Sequence, residues 1–340
     1  MQKQAIDFVI LWVDGNDPEW KKQRDFYANQ INGDNSFGNE NERFRDWDQL
    51  KYWFRGVEQF APWVNKIHFV TCGHLPGWLD TKHPKLHIVR HDEIIPKEYL
   101  PTFSSRPIEL CIKNIKGLSE RFVFFNDDMF LLSPISETAF FSNGLPCCEV
   151  GLGSFPTSWQ FIWSCNLLQD MQLINRNFKC REVVRQHWRK FICPAYGYQK
   201  NKNTILQLPW RRDSFSFFWT PHAPIPYLKS VHEEVWEREE NLLSNTCSHR
   251  FRSFDDVNQY VFLWWQMCEG KFVPAKTECL FSFISVKDDL ETICNMVLQH
   301  DMPILCINDT KLNESEFKER KQRINHAFDI LFPKKCSFER

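Results

Sequence analysis

Residues Ile6–Val13 (IDFVILWV) form a nearly continuous apolar run rich in β-branched and aromatic side chains. Such a run suits a strand covered on both faces, as in an α/β sheet. It breaks at once into a turn, Asp14-Gly15-Asn16-Asp17-Pro18. Residues 32–42 are polar and rich in Gly and Asn, which reads as a loop. A helix follows: Trp47, Leu50, Phe54 and Val57 recur with helical spacing, Asp46-x-x-Gln49 has the form of a capping box, and Pro62 marks the end. Lys66–Thr71 and Leu86–Val89 read as two further strands. Ser105 is a candidate cap for a helix with Ile108, Cys111, Ile112 and Ile115 inward and Gly117 as its stop. Arg121–Phe125 is another strand, ending in Asn126-Asp127-Asp128. Strands and helices alternating at this length predict a mainly parallel sheet.

The pattern weakens between Ser133 and Arg212, and residues 133–214 read as a variable, helical insertion within one domain spanning 1–340. After Pro226, Leu228, Val231 and Val235 predict a helix. Asp255 is placed to cap another, with Val257, Val261, Trp264 and Cys268 on one face and Gly270 at its end. A last helix puts Phe317, Ile324, Phe328 and Leu331 inward and stops before Pro333.

Composition narrows the function classes. The net charge is −1 and acids balance Lys and Arg throughout, so no nucleic-acid footprint is present. The longest apolar runs are far too short to cross a membrane, and the N-terminal residues lack the form of a signal peptide. The 13 cysteines contain no C-x-x-C pair and read as reduced, mostly buried thiols of a cytoplasmic protein. The 31 Phe and 14 Trp fill a core first, although flat rings also cover the C–H faces of sugars.

Ligands of open α/β sheets bind beyond the carboxyl ends of strands. Two strands here end in acid-bearing turns, at Asp14 and at Asn126-Asp127-Asp128. Carboxylates at such an edge suit Mg²⁺ or Mn²⁺, which take oxygen ligands. If strand geometry persists, Asn126 and Asp128 share a face and Asp127 points away, which favours Asp128 as a ligand. The competing reading is a hydrogen-bonded turn, which Asn and Asp favour anyway. His222 lies in the proline-punctuated segment Trp219-Thr-Pro-His-Ala-Pro-Ile-Pro, where a stiff backbone suits a proton acceptor or simply a loop histidine. Ser248-His249-Arg250-Phe251-Arg252, placed before a helix start near Asp255, has the makings of a phosphate site or of a solvated basic turn. Arg45 and Arg55 carry the same two readings. Glu109 is expected in the first turn of its helix, favoured there by the dipole. No P-loop, G-x-G-x-x-G, G-x-S-x-G or zinc signature occurs.

Taken together and in order, these segments resemble the Stealth family, which includes bacterial capsular polysaccharide phosphotransferases and the animal GlcNAc-1-phosphotransferase. The resemblance rests on four blocks. The first is IDFVILWVDGNDPEW (6–20). The second runs from RFRDWDQLKYWFRGVEQFAPWV (43–64) through KIHFVTCGHLPGWL (66–79) and LPTFSSRPIEL (100–110) to GLSERFVFFNDDMFL (117–131). The third joins PHAPIPYLKSVHEEVWE to SHRFRSFDDVNQY (221–260). The fourth is CINDTKLNESEFKERKQRINHAFDILFPKKCSFE (306–339).

The resemblance implies a GT-A-like, mainly parallel α/β core that binds a nucleotide-sugar, of the UDP or CMP type, with Mg²⁺ or Mn²⁺. It implies transfer of a hexose-1-phosphate to a hydroxyl of a glycan or polysaccharide, for a capsule or other surface polymer. It places Asp14 near the nucleotide or metal and Asn126 at the centre of the site; with Gly15, Arg45, Arg55 and Arg252 from the residues' own pattern, these are the candidates for the nucleotide-sugar and phosphates. His222, Arg252, Glu109, Asp127 and Asp128 become the catalytic set, with His222 the first choice of base and Glu109 the second, and Asp128 with Asp309 the metal ligands. Peripheral association with a polysaccharide assembly system at the inner face of the membrane is a further expectation. Two positions depart from the family pattern: Arg106, where His is frequent, and Cys72, where Asp or Trp is. Arg106 is expected to bear on donor or acceptor contacts. An ordinary glycosyltransferase releasing the nucleoside diphosphate, and a non-catalytic glycan-binding module, are the alternatives.

Overall fold

The structure, a computed structural model, describes residues 5–30, 44–155, 161–208, 213–219 and 221–340. The loop expected over 32–42 lies outside them. In chain order the strands are β1 (Ile6–Leu11), β2 (Ile67–Thr71), β3 (Leu86–Arg90), β4 (Arg121–Phe125), β5 (Met129–Leu131), β6 (Phe141–Ser142), β7 (Leu145–Cys148), β8 (Ile225–Leu228), β9 (Val273–Pro274), β10 (Phe281–Ser285) and β11 (Ile304–Asn308). The α-helices are α1 (Pro18–Ala28), α2 (Leu50–Phe60), α3 (His91–Ile94), α4 (Ser105–Cys111), α5 (Phe161–Asn177), α6 (Cys180–Phe191), α7 (Gly197–Gln207), α8 (Lys229–Ser248), α9 (Tyr260–Cys268), α10 (Leu290–Gln299) and α11 (Glu314–Leu331).

The central sheet has the order β3-β2-β1-β4-β8, parallel except for β8 at its edge. This is the parallel-rich α/β core that the alternating pattern predicts. β1 is buried along Ile6–Ile10 because it lies mid-sheet with both faces covered. Its polar exception is Asp7, fully buried and bonded to Asn65 Nδ2 at 2.7 Å, Ser119 N at 2.8 Å and His68 Nε2 at 3.1 Å. Burial works against the Asp7 carboxylate, but the bonds from His68, Asn65 and Ser119 outweigh it and hold the carboxyl below its usual range. That one side chain ties β1 to β2 and to the turn before β4.

α2 packs its apolar side on the sheet, with Trp53 and Phe54 fully buried. Each contributes roughly 1.5–3 kcal/mol over an exposed position. Gly56 permits the approach, since a Cβ there would stand 2.6 Å from the Leu131 carbonyl oxygen on β5. The capping box does not form: α2 starts at Leu50 after Gln49, and Asp46 Oδ1 accepts instead from the Asp48 amide at 2.7 Å. Ser104, not Ser105, caps α4, and the helix loosens into a 3₁₀ turn at Ile112–Asn114 before Gly117. Leu228 belongs to strand β8, and α8 begins after it. α9 starts at Tyr260, not at Asp255, and is buried on every side instead of one. Residues 161–207 are mainly helical, but 133–155, apart from a 3₁₀ turn at Glu137–Ala139, are not: they supply β6 and β7, which join β9 in a small sheet.

Two strands absent from the sequence-based expectations decide where the site lies. β10 and β11 pair in parallel, and β11 pairs antiparallel with β5. The turn Asn126–Asp128 therefore forms the corner between the central sheet and this second one. No described helix is long and apolar enough to cross a membrane. All thirteen cysteines are free thiols, most of them buried.

Candidate active site

Strand order reverses around β1, which has β2 on one side and β4 on the other. A crevice opens at the carboxyl ends of strands at such a point. The Asp14 turn leaves β1 and the Asn126–Asp128 turn leaves β4 into that crevice, and Asp309 follows β11. Asp14 is tied down locally, its Oδ1 accepting from Asn16 N at 2.8 Å and its own amide donating to His74 Nδ1 at 3.2 Å. Asp17 caps α1 by accepting from Trp20 N at 2.7 Å.

The acids crowd one another. Asp127 reaches solvent but lies low in the crevice; loss of water, then the neighbouring carboxylates of Asp128, Asp46 and Asp309, push its carboxyl up to about 7. Asp46 is raised as well, chiefly by burial, with Asp14 among the charges that add to it. Strand geometry does not persist past Phe125, so the expected alternation of Asn126, Asp127 and Asp128 gives way to a turn.

Asp128 is the centre of the set. Its carbonyl accepts from Ile307 N at 2.9 Å, pinning the turn to β11. Its Oδ2 meets His222 Nε2 at 3.2 Å and Cys306 Sγ at 3.4 Å. Its Oδ1 is buried with no hydrogen-bond partner among the described residues. Burial alone lowers the His222 pKa, but the Asp128 carboxylate overcomes this and, with Glu109, raises it. The segment bearing His222 is held by Tyr260 Oη donating to the Pro221 carbonyl at 3.4 Å, and the ring lies edge-on to Phe283, 5.7 Å between centroids.

Behind His222, Glu109 is buried in an ion pair with Arg106 Nη1 at 3.1 Å. It lies beyond the first helical turn, so Arg106, not the helix dipole, balances its charge. Arg106 faces the interior and also donates to Gln259 Oε1 at 3.2 Å. Asp170, buried beside it, has its carboxyl driven well above the usual range by loss of water.

Arg252 donates to Ser105 Oγ at 3.4 Å. It is carried by a clamped loop rather than a helix start. Asp256 accepts from Ser253 N at 2.7 Å and pairs with His249 Nδ1 at 2.7 Å, and that bond raises the His249 pKa against the effect of burial. Phe103 N donates to the Arg250 carbonyl at 2.7 Å, and Phe251 stacks on Phe103 at 5.2 Å.

Next to the acid turn a cleft of about 910 Å³ runs between α1 and the ends of β2 and β3, with Trp20, Tyr27, Phe103, His74 and Arg90 among its walls. His91 lines it too, and burial, assisted by His74 and Arg90, depresses its pKa to about 4. The unfolded chain binds this proton near the ordinary 6.5, so stability is present above that pH and is lost as pH falls from about 6.5 to about 4, by about 3 kcal/mol. Urea unfolding of His91→Gln is expected to show a flatter pH dependence across that window than the parent. Equal slopes would mean that His91 takes its proton alike in the folded and unfolded states.

Comparison with known proteins adds the decisive observation. Residues 4–31 match the model of Stealth protein conserved region 1, and residues 43–147 that of conserved region 2. A capsular polysaccharide phosphotransferase of Streptococcus pneumoniae is 37% identical over 337 residues, covering 99% of this chain and 98% of that protein. The chain belongs to the Stealth family. A receptor polysaccharide phosphotransferase of Streptococcus oralis is 39% identical over 339 residues, 98% of this chain and 99% of that one. An exopolysaccharide phosphotransferase of Lactiplantibacillus plantarum is 35% identical over 339 residues, 98% of this chain and 96% of the other.

Several Stealth-derived expectations converge on the crevice, and others are relocated. Asp127, Asp128 and Asp309 lie near enough to act on one another's charge, Asp14 acts on Asp46 beside them, Asn126 shares their turn, His222 joins through Asp128 with Glu109 behind it, and Arg252 reaches Ser105 at the start of α4. Gly15 is packed against protein: a Cβ would lie 1.6 Å from the Phe44 carbonyl oxygen, so its glycine serves the turn. Arg45 does not reach outward as a phosphate ligand. It grips Asp309 through Nε at 3.1 Å and Nη2 at 2.6 Å, while Trp47 Nε1 adds a bond at 2.8 Å. Asp309 thus enters the site with oxygens already engaged. Arg55 is engaged elsewhere: Glu339 takes its Nε at 2.6 Å and Nη2 at 2.7 Å, and the Phe332 carbonyl its Nη1 at 2.8 Å, so it fastens the C-terminal segment to α2. Cys72 lies half-buried in the cleft, 3.4 Å from His74 Nδ1. The residues that sequence reading missed are Cys306, Asp46 and His74. Cys306 had a signal, since in a strand it shares a face with Asn308, next to Asp309.

Proposed function

We propose that this Stealth protein transfers a hexose-1-phosphate from a nucleotide-sugar, of the UDP type, to a hydroxyl of a glycan acceptor in capsular or other surface polysaccharide synthesis. The observation that carries the reading is the contact of His222 with Asp128 at the mouth of an acid-lined crevice. If Nε2–H donates to Asp128, the Nδ1 lone pair is left to take the acceptor's proton. The acceptor oxygen then attacks the phosphorus next to the sugar. The bond from that phosphorus to the bridging oxygen breaks, and the nucleoside monophosphate leaves with the electron pair. Such transfer asks for in-line positioning and charge balance more than covalent chemistry. Arg252 supplies positive charge to the phosphoryl oxygens from a loop held still by Asp256 and Phe103. Glu109, committed to Arg106, is the lesser candidate for base and helps instead to keep His222 polarised.

Mg²⁺ or Mn²⁺ fits this chain. The crowded acids need a counter-cation, and the buried Oδ1 of Asp128 lacks a partner. Asp128 would hold the ion through Oδ1, Asp309 would join it only with the lone pair that Arg45 and Trp47 leave, and the ion would supply charge neutralisation at the diphosphate. The aromatic and polar walls of the adjoining cleft suit the rest of the donor.

Turnover against a panel of nucleotide-sugars, with products identified by mass, tests the reading. The released nucleotide should be the monophosphate, phosphorus should appear in the glycan, and excess EDTA should abolish the reaction. Release of the diphosphate with a phosphorus-free glycan would instead make the protein an ordinary glycosyltransferase. Binding without any turnover would make it a glycan-binding module.

A further inference from the structure

The side of Asp128 that faces His222 is chemically unlike the rest of the crevice. Asp128 Oδ2, His222 Nε2 and Cys306 Sγ come from three separate elements and all lie within 4.8 Å of one another. Nitrogen, sulfur and oxygen in one set are not the donors of a Mg²⁺ site, which takes oxygen alone. They are donors for a borderline-soft cation. In tetrahedral Zn²⁺ sites the bond lengths place N and O donors about 3.3 Å apart and S and O donors about 3.6 Å apart. The corresponding separations here are 3.2 Å for Nε2 to Oδ2 and 3.4 Å for Sγ to Oδ2. Two of the three separations thus stand close to liganding distance, the third, Nε2 to Sγ, lies within 4.8 Å, and Cys306, fully buried, closes the inner side of the set. His222 and Asp128 are partly open to solvent, with side-chain exposures of 35% and 23%, which leaves a route of entry and room for a fourth ligand from water.

We propose that Asp128, His222 and Cys306 form an inhibitory site for Zn²⁺ or a cation of the same class, separate from the Mg²⁺ or Mn²⁺ position on the other oxygen of Asp128. The inhibitory part rests on the assignment of His222 as the base; the binding part does not. A neutral imidazole metallated at Nε2 carries its proton on Nδ1. With a cation on Nε2, the nitrogen that should accept the acceptor's proton is already protonated. The same cation also takes Asp128 Oδ2 away from the ring it orients. Excess Mg²⁺ would not reverse the effect, because it competes poorly for a thiolate and an imidazole.

The test uses the full chain, stripped with a chelator and titrated with Co²⁺ alone, whose bond to a thiolate gives a near-ultraviolet charge-transfer band. The parent should show the band, saturating at one equivalent, and Zn²⁺ should abolish it by displacement. Cys306→Ser should lose the band and bind Co²⁺ at least about tenfold more weakly, the least that even an outer-shell change costs a metal site. Cys306→Ala, checked by its melting temperature, covers the case in which a buried serine disturbs β11. In the parent with saturating Mg²⁺ and donor, Zn²⁺ should suppress turnover, and added Mg²⁺ should not restore it. No band in the parent, an equal band in Cys306→Ser, or turnover indifferent to Zn²⁺ overturns the proposal. The Co²⁺ titration needs no substrate, so an error in the assigned reaction would leave its outcome intact.

Discussion

Asp128→Asn is expected to lower turnover by about 10⁴-fold with the fold retained, the loss typical when the carboxylate orienting a catalytic imidazole is made neutral. The substitution keeps the shape of the turn and its backbone bond from Ile307, which does not involve the side chain. What it removes is charge. His222 loses the partner that raises its pKa against burial, and an amide can equally well donate to Nε2 and hold the wrong tautomer. The cation loses a ligand at the same time. Stability should not fall, because Asp128 is one of the charges that push Asp127 up to about 7, and removing it relieves that repulsion. Rate and melting temperature measured on one preparation separate this from a purely structural turn aspartate. That role predicts the reverse: a lower melting temperature, with activity surviving in the folded fraction.

His222→Ala is expected to cost roughly 10²–10⁴-fold in rate, the usual contribution of a positioned general base. Donor affinity should change far less, since the ring faces Asp128 and Phe283 and not the cleft beyond Asp14. The comparison that gives the experiment its force is Glu109→Gln. Glu109 lies in the same region but is buried against Arg106, and its replacement leaves that guanidinium without its carboxylate. Its loss should therefore damage stability as well as rate, whereas His222→Ala should lower rate alone. An unaltered rate in His222→Ala would move the base to Glu109 or remove a protein base from the reaction.

Much of this was legible from the chain. β1 and β4 are runs of apolar residues long enough to be buried on both faces, and their type follows from that pattern without knowledge of neighbours, whereas β3, at the sheet edge, is mostly half-buried and shorter on apolar residues. The acid turns after β1 and β4 could be placed at the working edge of a parallel sheet by the same reasoning. Helix starts were less legible. Asp46 and Asp255 both have capping residues' chemistry, yet each satisfies a nearby loop instead, Asp46 accepting from Asp48 N and Asp255 from Ser253 Oγ and Asn245 Nδ2. Short polar side chains bind whichever local amide or hydroxyl is nearest, and loop and helix offer them the same reward. The arginines were the least legible. Arg45, Arg55, Arg106 and Arg252 look alike in sequence, but Glu339 takes Arg55, Asp309 takes Arg45, Glu109 takes Arg106 and Ser105 Oγ accepts from Arg252.

By itself, then, the sequence determined the parallel core, the acidic edges of two strands and the family, because each rests on local pattern or on order along the chain. Only the tertiary structure decided which charges are spent on one another and which face the crevice. Asp128, His222 and Cys306 are up to 178 residues apart in sequence, and they meet because β11 pairs with β5 and β8 with β4. Those pairings join strands far apart in the chain, and strands as short as three or four residues carry too little periodicity to announce them.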